Sequence, residues 1–240
     1  MAESNFATKL QALKDLRNAC ALMTKYSPKQ ELIQIKGMDK RISALDKLAL
    51  EMNPLITLLK DQRDERELKV HGQIEDDAFE GIIRRSRQVA LYVDGMGEPF
   101  ESEAAQIRKL VEKMKPSKTR RKPTSPEDKT RSTSEQSFAS ITAHADEILS
   151  IIKAMDADYA PADETISLKN YDELTAKIKE LTKNVSETEK KLKPKEKERE
   201  KLTNRKSDGI RKIVSETKKY VRGNYGSSSD EWNSIRLIKV

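Results

Sequence analysis

The stretch Met38-Asp-Lys-Arg-Ile-Ser-Ala-Leu45-Asp-Lys-Leu48-Ala-Leu-Glu-Met52-Asn-Pro54-Leu55-Ile-Thr-Leu-Leu59 decides the fold class. Met38, Leu45, Met52 and Leu59 recur every seven residues, and Leu48 and Leu55 fall between them. An α-helix gathers such residues on one face, whereas a half-buried strand needs strict alternation. The spacing is that of an a/d seam and predicts a long helix packed lengthwise against a partner. Tyr171, Ile178, Val185 and Leu192 repeat it later in the chain, with Leu174 and Leu181 between them. A helix of about 30 residues runs about 45 Å at 1.5 Å per residue. The first helix of the same copy, the third, or another chain must cover the seam. Pro54 and Pro194 are expected to kink or fray these helices, since proline lacks the amide proton of the helical bond.

The seam occurs twice because the sequence repeats. Tyr26-Ser-Pro28-Lys-Gln-Glu31-Leu-Ile33-Gln-Ile35-Lys36-Gly-Met-Asp39 matches Tyr159-Ala-Pro161-Ala-Asp-Glu164-Thr-Ile166-Ser-Leu168-Lys169-Asn-Tyr-Asp172 at an offset of 133, with six of 14 positions identical. At an offset of 128, Gly81, Ile82, Tyr92, Val93, Gly95, Glu103, Ile107 and Arg108 match Gly209, Ile210, Tyr220, Val221, Gly223, Glu231, Ile235 and Arg236. This reads as a repeat over residues 1–114, a basic linker over 115–134 and a second repeat over 135–240. The linker, Lys115-Pro-Ser-Lys-Thr-Arg-Arg-Lys-Pro-Thr-Ser-Pro-Glu-Asp-Lys-Thr-Arg-Ser-Thr-Ser134, has three prolines and no apolar residue. Such a composition is extended or disordered in isolation.

Each copy predicts the same series of elements. Helix 1 covers about 4–25 and 135–157. Glu31–Ile35 and Glu164–Leu168 alternate with period two, and predict either a two-stranded ribbon between the copies or an extended connection. Helix 2 carries the seam. Helix 3 covers about 78–94 and 208–222 and ends at Gly95 and Gly223, which suit a left-handed C-cap. A short fourth helix follows, N-capped in the second copy by Ser229, with Trp232, Ile235 and Ile238 on one face. The expected fold class is all-α: two similar antiparallel helical-bundle repeats.

Ser134-Glu-Gln-Ser-Phe138, Tyr159-Ala-Pro161 and the ending Tyr220-Val-Arg-Gly-Asn-Tyr-Gly-Ser-Ser-Ser-Asp-Glu-Trp232 resemble an uncharacterised family of duplicated helical bacterial proteins. The resemblance covers most of the chain. It implies an architecture and carries over no activity and no site residues.

Composition narrows the function classes. Of the 240 residues 36% are charged and 5% aromatic, with only 8 Gly and 8 Pro, too few turn formers for a β-sandwich or a glycine-looped α/β enzyme. No apolar run approaches a membrane span. No basic start with an apolar core marks a signal peptide. With one cysteine, the expected location is the reducing cytoplasm.

The side chains that could carry chemistry are few. His71 lies at the expected turn between helices 2 and 3, near Asp76 and Asp77, and the matching turn of the second copy has no histidine. His144 sits among small residues in a helix and reads as a packing residue. Cys20, in Ala19-Cys-Ala-Leu-Met23, reads as a buried, inert thiol. Glu75, Asp76, Asp77 and Glu80 lack the order of a calcium loop and suit a helix N-terminus instead. Gly95-Met-Gly97 follows a helix and reads as a cap and turn, not a phosphate loop. No cofactor, metal or small-molecule substrate is expected.

Charge leaves one candidate surface. The net charge of +7 is uneven: residues 1–114 balance at zero, the linker carries +5 and residues 135–240 carry +2, within which 190–222 hold 14 basic side chains against five acidic ones. Lys190, Lys191, Lys193, Lys195, Lys197, Arg199, Lys201, Arg205 and Lys206 are the candidate contacts to phosphates or to a partner, with Arg120, Arg121 and Lys122 on a flexible arm. Glu196, Glu198 and Glu200 interleave with them, a pattern usual for a solvated helix face. The leading expectation is therefore a non-enzymatic structural or scaffold protein that binds itself or another protein through helix faces. The alternative is a nucleic-acid-binding protein that does not read sequence.

Overall fold

A computed structural model describes residues 2–72, 81–115 and 137–240, with side chains from residue 6 onward. The candidate arm residues Arg120, Arg121 and Lys122, and the acidic group Glu75, Asp76, Asp77 and Glu80, lie outside the described residues. Within them the chain forms eight α-helices and no strand. These are α1 (Ala2–Leu22), α2 (Ile35–His71), α3 (Ile82–Gly95), α4 (Glu101–Met114), α5 (Phe138–Ala154), α6 (Leu168–Asn204), α7 (Ile210–Tyr225) and α8 (Asp230–Ile235).

All the seam residues are buried as their spacing predicts except Leu55, which is half-buried. Met38, Leu45, Leu48, Met52 and Leu59 are buried on α2, and Tyr171, Leu174, Ile178, Leu181, Val185 and Leu192 on α6. Full burial of an aliphatic side chain contributes roughly 1.5–3 kcal/mol, so the seams dominate what holds the two helices. Both helices run unbroken for 37 residues, through Pro54 and Pro194. Fraying at the prolines is thus corrected. Each proline is exposed, so water can take the carbonyl it leaves unpaired, while the seam opposite keeps its packing.

The ribbon is also corrected. Glu31–Ile33 and Glu164–Ile166 are 3₁₀ turns. Their amides bond locally, Ile33 N–H to the Gln30 carbonyl at 3.2 Å and Ile166 N–H to the Asp163 carbonyl at 3.3 Å. A tyrosine seven residues upstream then takes the free carbonyl. The Tyr26 hydroxyl donates to Ile33 O at 2.6 Å, and the Tyr159 hydroxyl to Ile166 O at 2.7 Å. Asp163 caps its turn by accepting the Thr165 amide at 2.9 Å. The alternating isoleucines record one buried side chain per turn, not a pleat.

The glycine caps shift by a few residues. Helix α7 continues through Gly223, and the positive φ falls on Gly226, at 93°, and on Gly97, at 66°. Ser229 caps α8 as expected, accepting the Trp232 amide at 3.1 Å. The fourth helix of the first copy, α4, is 14 residues long and has no side-chain cap bond.

The chain divides into two compact units, residues 1–57 with 189–240, and residues 58–188. They cut across the two sequence copies. The first unit takes α1 and the start of α2 from one copy, and the end of α6 with α7 and α8 from the other. The second takes the end of α2 with α3 and α4, and α5 with the start of α6. In the first, Leu13, Leu16, Cys20, Ile33, Met38 and Leu45 form one cluster with Ile210, Ile213, Val214, Val221 and Ile235. In the second, Val70, Ile82, Val89, Val93 and Ile107 cluster with Ile141, Ile148, Ile152, Tyr159 and Tyr171.

Candidate functional site

The candidate contacts at 190–206 belong to the first unit, and burial sorts them into three groups. Lys195 and Arg199 turn inward. Lys195 is ion-paired with Glu51 of α2, and this hydrogen bond is the main reason the Glu51 carboxyl is held below its ordinary range. The Arg199 guanidinium sits 5.1 Å from the ring centre of Phe6 on α1. These two side chains reach from α6 to α2 and α1.

The second group points outward. Lys190, Lys193, Lys197 and Lys201 are exposed, and they lie opposite Leu192, Lys195, Arg199 and Thr203 on the wheel of α6. At about 100° per residue, Lys190, Lys197 and Lys201 fall within an arc of about 40°, with Lys193 about 40° to one side. Among the described residues no ion pair holds any of the four. The interleaved glutamates sort to the flanks: Glu189, Glu196 and Glu200 run beside the Lys193 edge, and Glu198 beside the other. The alternation that looks like a mixed face in sequence is, on the helix, a lysine stripe with an acidic row on one side and Glu198 beside Lys191 on the other.

Lys191, Arg205 and Lys206 form the third group. Lys191 is exposed on the Glu198 flank and Lys206 in the turn after α6. Arg205 lies 3.7 Å from Asp208. Asp208 is held more firmly by Arg41 of α2, at 3.0 Å, and that hydrogen bond is the main cause of its lowered carboxyl pKa. An open groove lined by Lys197, Glu200, Lys201, Asn204 and Arg205 continues the stripe past the end of the helix. A second is walled by Phe6, Lys9, Arg199 and Asn204, where Lys9 Nζ donates to Asn204 Oδ1 at 2.8 Å. Phe6 and Lys9 were invisible to the sequence reading, since nothing in their spacing ties α1 to the far end of α6.

The side chains considered for catalysis are placed by packing. Cys20 is buried, and burial pushes its thiol up to about 11, so little thiolate forms near neutrality. His71 is exposed at the end of α2, with its ring 6.5 Å from that of Phe138. His144 is buried on α5 within the second unit. Among the described residues no group of three His, Cys, Asp or Glu is placed to hold a metal ion, and no helix is long and apolar enough to cross a membrane.

The tyrosine clamps went unrecognised, although the sequence carried their signal. Each has a tyrosine seven residues before an isoleucine and a second tyrosine at the offset of 128. Tyr26 meets Tyr220 edge-on at 5.4 Å, and Tyr159 meets Tyr92 edge-on at 5.4 Å. Burial raises the hydroxyl pKa of Tyr26 and Tyr159, which keeps both protonated as donors. No protein-family model, curated protein or solved structure matches the chain.

Proposed function

We propose that this chain is a non-enzymatic structural protein of the cytoplasm, built from two duplicated antiparallel helical repeats and acting through helix faces on itself or on another protein. The observation that carries the reading is the repetition of matched contacts. The tyrosine clamp, the edge-on tyrosine pair and the close backbone approach at the matching Gly81 and Gly209 each occur in both units. Two similar units on one chain suit bridging of equal partners or propagation of an assembly. The seams supply the coiled-coil-like pairing, in which contacts run in opposite numerical order. In the first unit Arg41 meets Asp208 and Glu51 meets Lys195. In the second Gln62 meets Thr188 and Glu65 meets Lys177.

Light scattering after size-exclusion chromatography, at several concentrations, tests the reading. A mass that rises above one chain, or a complex with a captured helical partner, supports it. A monomer at every concentration, with no partner protein retained, counts against it.

The lysine stripe favours a second reading, a nucleic-acid-binding protein that contacts phosphates without reading bases. Absorbance at 260 nm that co-elutes with the protein and is stripped by salt would support this reading over the first.

A further inference from the structure

Resting on the second reading above, we infer that the outward face of α6 between Lys190 and Lys201 is a binding site for the phosphodiester backbone of duplex nucleic acid. The length is suited to the ligand. Eleven residues of helix rise about 16.5 Å, the axial span of about five phosphates on one strand of a duplex. Four lysines at spacings of three, four and four residues stand along that length. Each has a flexible stem able to adjust to a phosphate row.

The flanks choose among polyanions. Glu189, Glu196 and Glu200 bound the positive strip on one side, and the other side carries Glu198 together with Lys191. A flat anionic membrane would press against the carboxylates as well as the lysines. It would also find no large apolar side chain on the strip to insert. A single strand bound through its bases needs aromatic platforms, and the strip has none. A duplex backbone meets the lysines and stands clear of the carboxylate row. The groove lined by Lys197, Glu200, Lys201, Asn204 and Arg205 continues past the helix end with three cations against one carboxylate.

Binding of a fluorescein-labelled 20-base-pair duplex DNA to the full chain, read by anisotropy from 50 to 200 mM salt, tests the site. Two variants lose the same number of charges. One is Lys190→Gln, Lys193→Gln, Lys197→Gln and Lys201→Gln together. The other is Lys29→Gln, Lys36→Gln, Lys60→Gln and Lys109→Gln, all exposed and none on α6. The stripe variant is expected to bind at least about tenfold more weakly at 50 mM salt. Its slope of log affinity on log salt should fall by about 3 to 4, from about 0.9 per phosphate contact. The control variant should stay within about threefold of the parent. No binding by the parent chain at 50 mM salt overturns both the inference and the second reading. Parent binding that the two variants weaken equally, or that the stripe variant leaves intact, overturns the stripe alone. Glutamine is a good helix former, and circular dichroism checks that the variants fold. Lysine acetylation of the parent chain gives an answer independent of the variants. Duplex DNA should protect Lys190, Lys193, Lys197 and Lys201 and leave Lys29, Lys36, Lys60 and Lys109 reactive. Equal labelling of the two sets with and without DNA overturns the site.

Discussion

In the first unit Met38 and Val214 lie buried in one apolar cluster. At the matching positions of the second unit stand Tyr171 and Ser86, whose hydroxyls lie 2.8 Å apart. Both sites are buried, and both are filled by a large and a small side chain. The backbone frame around them is shared, down to the tyrosine clamp on the 3₁₀ turn. One unit fills the place with apolar volume. The other fills it with a hydrogen bond that has to be satisfied in full, because an unpaired buried hydroxyl costs about 1–3 kcal/mol. The comparison teaches that the frame and the filling are separable. Each can be attacked alone.

The frame gives the largest expected effect. Gly81 and Gly209 begin α3 and α7, and each lets the start of its helix touch the backbone that ends α2 or α6. A Cβ on Gly81 would sit 2.4 Å from the amide nitrogen of Gly72, and one on Gly209 would sit 2.5 Å from the carbonyl oxygen of Arg205. Neither backbone needs the left-handed region, so space alone demands glycine. Gly81→Ala and Gly209→Ala should each destabilise by about 3 kcal/mol, the upper range for forcing atoms into packed structure, as read from denaturant midpoints. Equal losses would show that both units depend on the same corner. A neutral result at either position would break the equivalence.

The filling comes next. Ser86 Oγ also donates to Ile82 O at 2.6 Å, so Tyr171→Phe leaves Ser86 satisfied and should cost about 1 kcal/mol. Ser86→Ala strands the Tyr171 hydroxyl in a site where burial already raises its pKa, and should cost more, about 2 kcal/mol. The double variant should cost less than the two singles added. A double-mutant cycle measures that coupling. Additive losses would mean that the pair is incidental. In the first unit Met38→Tyr alone should be poorly tolerated, for lack of the serine.

These residues also show what could be read from sequence. The seam was legible because Met38, Leu45, Met52 and Leu59 obey a period that only a helix satisfies. The 3₁₀ turns were not, because Ile33 and Ile35 carry an alternation that a pleat and a tight turn share. What decides between them is Tyr26 seven residues upstream, a contact set by tertiary geometry. The exchange of halves between the units was hidden too. A seam states that a helix has a partner, and it does not say which helix. On the candidate surface, the sequence named Lys190 to Lys206 as one basic group. Only the direction of burial on α6 separates Lys195 and Arg199, which contact α2 and α1, from the four lysines that face outward.

Acid response should produce the smallest effect, and it separates the units by their charges. In the first unit Asp39, Glu51, Asp208 and Glu216 all have lowered carboxyl pKa values, caused chiefly by hydrogen bonds from Arg17, Lys195, Arg41 and Lys212. In the second, among the described residues, Asp163 is lowered by the hydroxyl and amide of Thr165, within its own turn. A carboxyl held below its unfolded value of about 4 binds its proton more readily in the unfolded chain. The stability it adds is complete above that value, and it is lost as pH falls through the lower, folded value. The first unit should therefore lose more protection against amide hydrogen exchange between pH 5 and pH 3 than the second. The loss should be clearest in α7 and in the first half of α2. These pairs are largely exposed, so each contributes little, and 0.5 M salt should shrink the difference between the units. Asp208→Asn should flatten part of the acid loss in the first unit and leave the second unchanged. An acid loss that is equal in both units, or unmoved by Asp208→Asn, would show that the cross-helix ion pairs add nothing that distinguishes them.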